Sequence, residues 1–499
     1  MKLHLTTFAL LAGASMFAMA PAASAGIKDN PGYAEAVAAA QNGAAAAWAN
    51  AESERGGLYL VAQFDSSGPD AWDPVAHPLV YVTSESHANP NPNRTLPGGF
   101  AGFQLIDAMT KESIYGFIAA ETAKTSLMRG APHGVALSPD GAWAYVGWSE
   151  IAESADNSSV NAFSGVANPS ATGFASYVAV VNVRTMKIDK LMVQESRFRG
   201  APRAQRLHHV QSWTDVDGND RVVLQWGFGA DGGPHHILDP KDNNRVARSI
   251  TYEDVQVMGH PFTTPSNDGK TLYVSIGSPE IRSSHAHGAA GVAKVNLDTG
   301  AVTNVMGFGN HPIGIIHSAD SKFTYVVDGH GSHVYKLDNE SNEIVGSASA
   351  GVAGPYGACM NWDESLLYVD GKGEGSHNIG SVLGVIDLKT FVPARAGFFQ
   401  QPIFLGGSAN SVDHCILHPD PAVNEIWVSN MNGWETIVLD LNTNTPEAWI
   451  PTPHGGDTHS GGFYAYNGWD GEVMSDMGGI KSQKMRDLSL AAIAARLAK

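Results

Sequence analysis

The stretch Pro132-His133-Gly134-Val-Ala-Leu-Ser-Pro-Asp-Gly-Ala-Trp-Ala-Tyr145-Val146 reads as two short strands joined by a Ser-Pro-Asp-Gly turn. The pattern recurs as Gly314-Ile-Ile-His-Ser-Ala-Asp-Ser-Lys-Phe-Thr-Tyr-Val326, as Ala358-Cys-Met-Asn-Trp-Asp-Glu-Ser-Leu-Leu-Tyr-Val369, and as Thr263-Thr-Pro-Ser-Asn-Asp-Gly-Lys-Thr-Leu-Tyr-Val274. A second pair of strands follows each hairpin, as in Leu383-Gly-Val-Ile-Asp-Leu-Lys-Thr390 and Ile437-Val-Leu-Asp-Leu-Asn-Thr443. Four strands in each unit of about 45–55 residues is the blade of a β-propeller. Just before these inner strands stand His133, His208-His209, His260, His311, Tyr356, His414 and His459. Counted along 133, 209, 260, 311, 356, 414 and 459, the steps are 76, 51, 51, 45, 58 and 45 residues. Seven starts predict an all-β, seven-bladed propeller.

The last start, at His459, has too little chain after it to complete a blade. Its outer strands are expected from the N-terminal side, around Leu58–Val61 and Val80–Thr83, closing the ring without an exposed sheet edge. Residues 56–478 are therefore assigned to the propeller. Before it, residues 1–25 read as a secretory signal: Lys2, then a largely apolar Leu10–Ala20, then Ala23-Ser24-Ala25. Residues 26–55 form an alanine-rich segment expected to contain a short N-terminal helix, and residues 479–499 a C-terminal helical tail. This organisation predicts an exported protein of the bacterial periplasm.

The formal charge is -18, with no run of Lys or Arg, which disfavours nucleic acid and anionic membranes as partners. Fifty-five glycines and only 16% charged residues suit a fold of many tight turns. The two cysteines, Cys359 and Cys415, exclude a disulfide scaffold and a Cys-x-x-Cys-His haem site. Both a single bridge and two buried thiols fit their positions.

In a propeller, the residues before each inner strand and those after the next strand share one mouth of the central channel. A histidine at a strand start can simply cap a turn, and duplication can copy a structural histidine along with the repeat. Alternatively, His133, His208, His209, His260, His311, His414 and His459 converge near the axis as metal ligands, and clustered imidazoles suit copper or zinc. On the same mouth, Glu150, Glu280 and His87 can accept a proton. Lys372 and Arg282 can hold an anionic substrate. His285, His287, His330, His333 and His377 are candidates for an outer shell, whereas His235-His236 opens a third strand and is expected away from the axis.

The Pro-His-Gly-Val-Ala-Leu-Ser-Pro-Asp-Gly unit with Tyr145-Val146, and its weaker copies, resembles the exported bacterial propellers with Tyr-Val-Thr-Asn repeats. Among these, the histidine series is similar to the axial rings of two copper-enzyme families, thiocyanate dehydrogenase and nitrous oxide reductase. The chain looks more like the first, because nothing after residue 478 could form the cupredoxin domain of the second. The resemblance implies a centre of two or three copper ions held by His133, His209, His311, His414 and His459, with His260 and His208 as further candidates. It also implies oxidation of a small sulfur-containing anion such as thiocyanate, with a periplasmic electron acceptor such as a cytochrome c. Tyr356 departs from the pattern where a histidine is expected. A propeller lactonase or other hydrolase, and a non-catalytic binding propeller, are the alternatives. No Gly-x-Ser-x-Gly, His-Glu-x-x-His or phosphate-binding glycine loop supports other classes.

Overall fold

The computed structural model describes residues 58–85, 102–114, 132–149, 176–194, 196–198, 201–203, 207–226, 235–250, 262–276, 290–373, 380–394, 402–406, 411–431, 433, 435–451, 457–464, 475–476, 479–480 and 482–499. The expected signal segment and N-terminal helix lie outside these residues.

The chain is an all-β propeller with a single C-terminal helix among its described residues. Six blades are antiparallel meanders of continuous chain. Their inner strands are Pro132–Leu137, Leu207–Thr214, Thr263–Pro265, Pro312–His317, Ala358–Met360 and Val412–Leu417. The seventh strand start is built differently. It heads Asp457–Tyr464, which pairs with Leu79–Glu85, followed outward by Gly102–Asp107 and Ser113–Ile114. Among the described residues the structure thus shows six blades of continuous chain where the sequence predicts seven, and at the seventh start a sheet assembled from both ends of the chain. Neighbouring inner strands contact one another in sequence, and Asp457–Tyr464 contacts both Val412–Leu417 and Pro132–Leu137.

One expected pairing is corrected. Leu58–Gln63 does not join the last sheet; it adds a fifth, outermost strand to the first blade, with Leu58 opposite Gln194. Three N-terminal strands already complete the last sheet. Leu58 is buried beside Val178, Val180 and Met192, so the strand covers apolar surface as well as a sheet edge.

The strands are close to continuously apolar because each sheet packs on both faces against its neighbours. Val178, Val180 and Met192 of the first blade share a cluster with Leu207, Val210, Val222, Leu224 and Leu238 of the second. The repeated Tyr-Val pair gains a reason in the tertiary structure. The Tyr368 hydroxyl crosses to the next blade and donates to Asn444 Oδ1 at 2.9 Å; Asn444 is in the left-handed conformation (φ 55°) of an outer hairpin. Tyr145 makes the same bond to Asn244 in the blade that follows it. Cys359 and Cys415 form a disulfide that joins the inner strands Ala358–Met360 and Val412–Leu417 of adjacent blades.

The C-terminal helix, Gln483–Leu497, starts at Ser482, whose side chain accepts from the Met485 N–H at 3.2 Å. Met485 is buried, and Leu490 and Ile493 pack against the core beside it, one face of the helix. Its polar groups hold the inner-hairpin turns of two blades. Arg486 Nε donates to Ala319 O at 2.7 Å, Ser489 Oγ to Trp362 O at 2.7 Å, and Arg496 Nε to Asp363 O at 3.1 Å.

Glu364, in one of these turns, accepts from the Ala319 N–H at 2.5 Å. Burial is the main cause that pushes its pKa up from 4.5 to about 7. The folded chain therefore keeps a proton that the unfolded chain releases between about pH 4.5 and 7. Its contribution to stability is most favourable on the acid side and is lost as pH rises through that window. Glu364→Gln is expected to flatten this part of the stability–pH curve, measured by thermal melts across the window. An unchanged slope would contradict the assignment.

Candidate metal centre

The chemistry-bearing residues gather where the inner strands begin, and local strand geometry places them. In a regular strand, adjacent side chains point to opposite faces. The pairing here is irregular at the strand starts: between Leu207 and His209, between Val412 and Cys415, and in Asp457–Tyr464 between Thr458 and Gly461. Such bulges re-aim side chains beside functional sites. They let consecutive residues, His208 with His209 and Asp413 with His414, face one cluster.

In that cluster, His208, His209 and His459 bring their donor atoms within 4.8 Å of one another, and Asp413, His414 and His459 form a second such group. The two triads share His459, and all five side chains are buried. The imidazole of His209 stacks on that of His459 with ring centres 5.8 Å apart and planes 5° from parallel. His414 stands edge-on to both, at 5.3 and 5.2 Å. Phe262, just before its inner strand, closes one side at 5.1 Å from His209. Tyr356 closes another, 5.1 Å from His414 and 6.1 Å from His459.

The charges are equally concentrated. Asp413 pairs with Lys372 Nζ at 2.7 Å, with His459 Nδ1, and more distantly with His414 Nε2 at 3.6 Å. The Lys372 ammonium also lies 3.5 Å from the centre of the Tyr356 ring. His208 Nδ1 is 3.0 Å from the side-chain amide of Gln225, and its Nε2 is 3.4 Å from the Tyr356 hydroxyl. Burial is the main cause that pushes His209 well below the ordinary histidine range, with His208, His414, His459 and Lys372 adding to it. Burial likewise lowers His414 to about 3. Burial thus favours the neutral ring, the state in which a ring nitrogen offers a lone pair. Asp370 is wholly buried; burial first, then the Asp413 carboxylate, raises its pKa well above the usual carboxylate range.

Gly357 threads between these groups. Its N–H donates to Asp413 O at 2.9 Å, and its carbonyl accepts from the Asp370 N–H at 2.9 Å. A Cβ at this position would stand 2.7 Å from His414 Nδ1 and 2.8 Å from Asp370 Oδ2. Only the absence of a side chain lets the two strand starts approach this closely.

Of the residues singled out from sequence, His208, His209, His414, His459 and Lys372 therefore meet in one place. His311 is buried but belongs to neither triad. Its N–H donates to Asp328 Oδ1 at 3.0 Å and its ring stacks on His330 at 4.6 Å. His333 is exposed, and its Nδ1 is 2.5 Å from Gly331 O. The pair His235-His236 opens a third strand, His235–Asp239, and His235 Nε2 is 2.7 Å from Thr263 Oγ1. The side chain of His133, and all of His87, Glu150, His260, Glu280, Arg282, His285, His287 and His377, lie outside the described residues. Sequence reasoning passed over Asp413, Asp370, Gln225 and Phe262. The signals available for the first two were an acid directly before His414 and an acid directly after a Tyr-Val pair, on the expected mouth.

The fold and this cluster define the class: an all-β propeller with a buried set of histidines and carboxylates at its inner-strand starts. No protein-family model matches the chain, and no curated protein matches it. Among solved structures, a functionally unknown protein from Desulfotomaculum acetoxidans DSM 771 is similar over 77% of this chain and 98% of its own, at 11% identity and a TM-score of 0.50. A periplasmic gluconolactonase of Pseudomonas aeruginosa matches over 77% and 99%, at 14% identity and a TM-score of 0.49. The dihydro-heme d1 dehydrogenase NirN matches over 80% and 70%, at 16% identity and a TM-score of 0.45. At these identities the likeness is one of fold alone.

Proposed function

We propose that the chain is an exported propeller oxidoreductase whose strand-start cluster holds copper. The observation that carries this reading is the pair of buried triads sharing His459. Four neutral-capable imidazoles and one carboxylate within such short range form a donor set suited to copper, zinc or iron. The resemblance of the histidine series to the copper propellers selects copper among these. Bound there, copper supplies one-electron redox chemistry.

The remaining work falls to the chain's own groups. Gln225 orients His208 in the way that outer amides hold metal-ligating imidazoles, and Asp413, itself a member of the second triad, pairs with His459 and His414. Phe262 and Tyr356 wall the cluster with aromatic rings and limit water. Lys372 places an ammonium beside it, which suits a small anionic substrate. The resemblance extends the proposal to a sulfur-containing anion such as thiocyanate, and to electron delivery to a periplasmic acceptor such as a cytochrome c. Among the described residues no helix is long and apolar enough to cross a membrane.

The test is elemental analysis of the purified full-length protein, with visible spectra before and after ascorbate. Two or more coppers per chain and an ascorbate-bleached spectrum are expected. Calcium alone would favour the lactonase alternative, and no bound metal after copper loading would overturn the proposal.

A further inference from the structure

We infer that Tyr356 is itself a metal ligand, its phenol oxygen completing the triad of His208, His209 and His459 as a fourth donor. This rests on the copper reading above and gives a role to the one inner-strand start that lacks a histidine. Tyr356 is 1% exposed and its hydroxyl stands 3.4 Å from His208 Nε2. Two ligands about 2.1 Å from one ion at a tetrahedral angle stand about 3.4 Å apart, so this separation fits two donors on one metal. It is long for an O–H···N hydrogen bond.

The surroundings favour an anionic oxygen at this place. The Lys372 ammonium lies 3.5 Å from the ring centre, where it offsets negative charge delocalised over a phenolate. The opposite nitrogen of His208 is occupied by the Gln225 amide at 3.0 Å, which directs Nε2 toward Tyr356. Turning that amide by half a rotation lets Gln225 Oε1, which has no hydrogen-bond partner among the described residues, accept from the Nδ1–H. His208 Nε2 then presents its lone pair beside the tyrosine oxygen. The main chain fixes the ring's position, since the Tyr356 N–H donates to Asp370 O at 2.9 Å. The disulfide at Cys359 anchors the strand that follows.

The test loads the full-length, disulfide-intact protein with Cu(II) and records its visible absorption and resonance Raman spectra. A phenolate-to-copper charge-transfer band is expected, with phenolate ring modes enhanced on excitation into it. Tyr356→Phe should lose both signals completely while keeping its thermal unfolding midpoint and retaining bound copper. Copper-loaded protein without the band, or Tyr356→Phe with the band unchanged, would overturn the ligand assignment and leave the copper site standing. A chain that takes up no copper at all would remove the copper reading first, and this inference with it.

Discussion

On the proposed copper reading, His459→Ala is expected to strip the metal from both triads while leaving the propeller folded. His459 is the shared member of the two ligand groups, so one substitution removes a donor from each. The loss in affinity should exceed the roughly 10–100-fold typical of deleting only an outer hydrogen-bond partner. Folding is expected to survive, because Asp413 keeps its Lys372 partner at 2.7 Å when the imidazole is removed. The strand's main-chain pairing with Leu79–Glu85 is untouched by a side-chain change. Copper content by elemental analysis and the unfolding midpoint should be read together, with the exposed His333→Ala as a control that keeps its copper. Unchanged copper in His459→Ala would argue that the cluster is structural, as a histidine at a strand start can be.

The second large effect concerns the disulfide. Replacing Cys359 and Cys415 with serine opens a loop of 56 residues, and the chain-entropy relation assigns such a closure about 4 kcal/mol. For a chain of this length that corresponds to a fall in the unfolding midpoint of about 4 °C. The site should register the change as well. Tyr356 lies three residues before Cys359 and His414 directly before Cys415, so the bridge clamps two strand starts whose rings stand 5.1 Å apart. Weaker copper retention against a chelator is therefore expected alongside the lower melting temperature. Equal melting curves with and without reductant would show that packing alone holds the two blades together.

Much of this architecture can be read from the chain. The recurrence of turn, Tyr-Val pair and outer strands identifies a propeller, because a repeat of this length has few other ways to bury two apolar faces per sheet. The end-to-end closure through Val80–Thr83 follows from an incomplete last repeat and the cost of an open edge. At the site, His208, His209, His414, His459 and Lys372 are legible because each repeat returns the same phase to the same mouth.

Other features are not local. Leu58–Gln63 carries a strand pattern but no mark of its partner, and only the apolar surface around Val178 and Met192 places it on the first blade. Strand alternation, applied to Asp413 and His414, sends them to opposite faces; the irregular pairing between Val412 and Cys415 overrules it. His311 has the right phase and is buried, yet it belongs to neither triad, and its ring stacks on His330. The cysteines are compatible with a bridge or with two thiols until neighbouring inner strands bring them together.

Periodicity and composition carry the repeat, the ring closure and the set of imidazoles offered at the strand starts, and all three are therefore written in the chain. Which imidazoles meet, that Asp413 and Tyr356 join them, and that Gly357 leaves room for the contact are matters of tertiary structure. Ligand convergence depends on angles and bulges between segments remote along the chain, and periodicity holds no information about those.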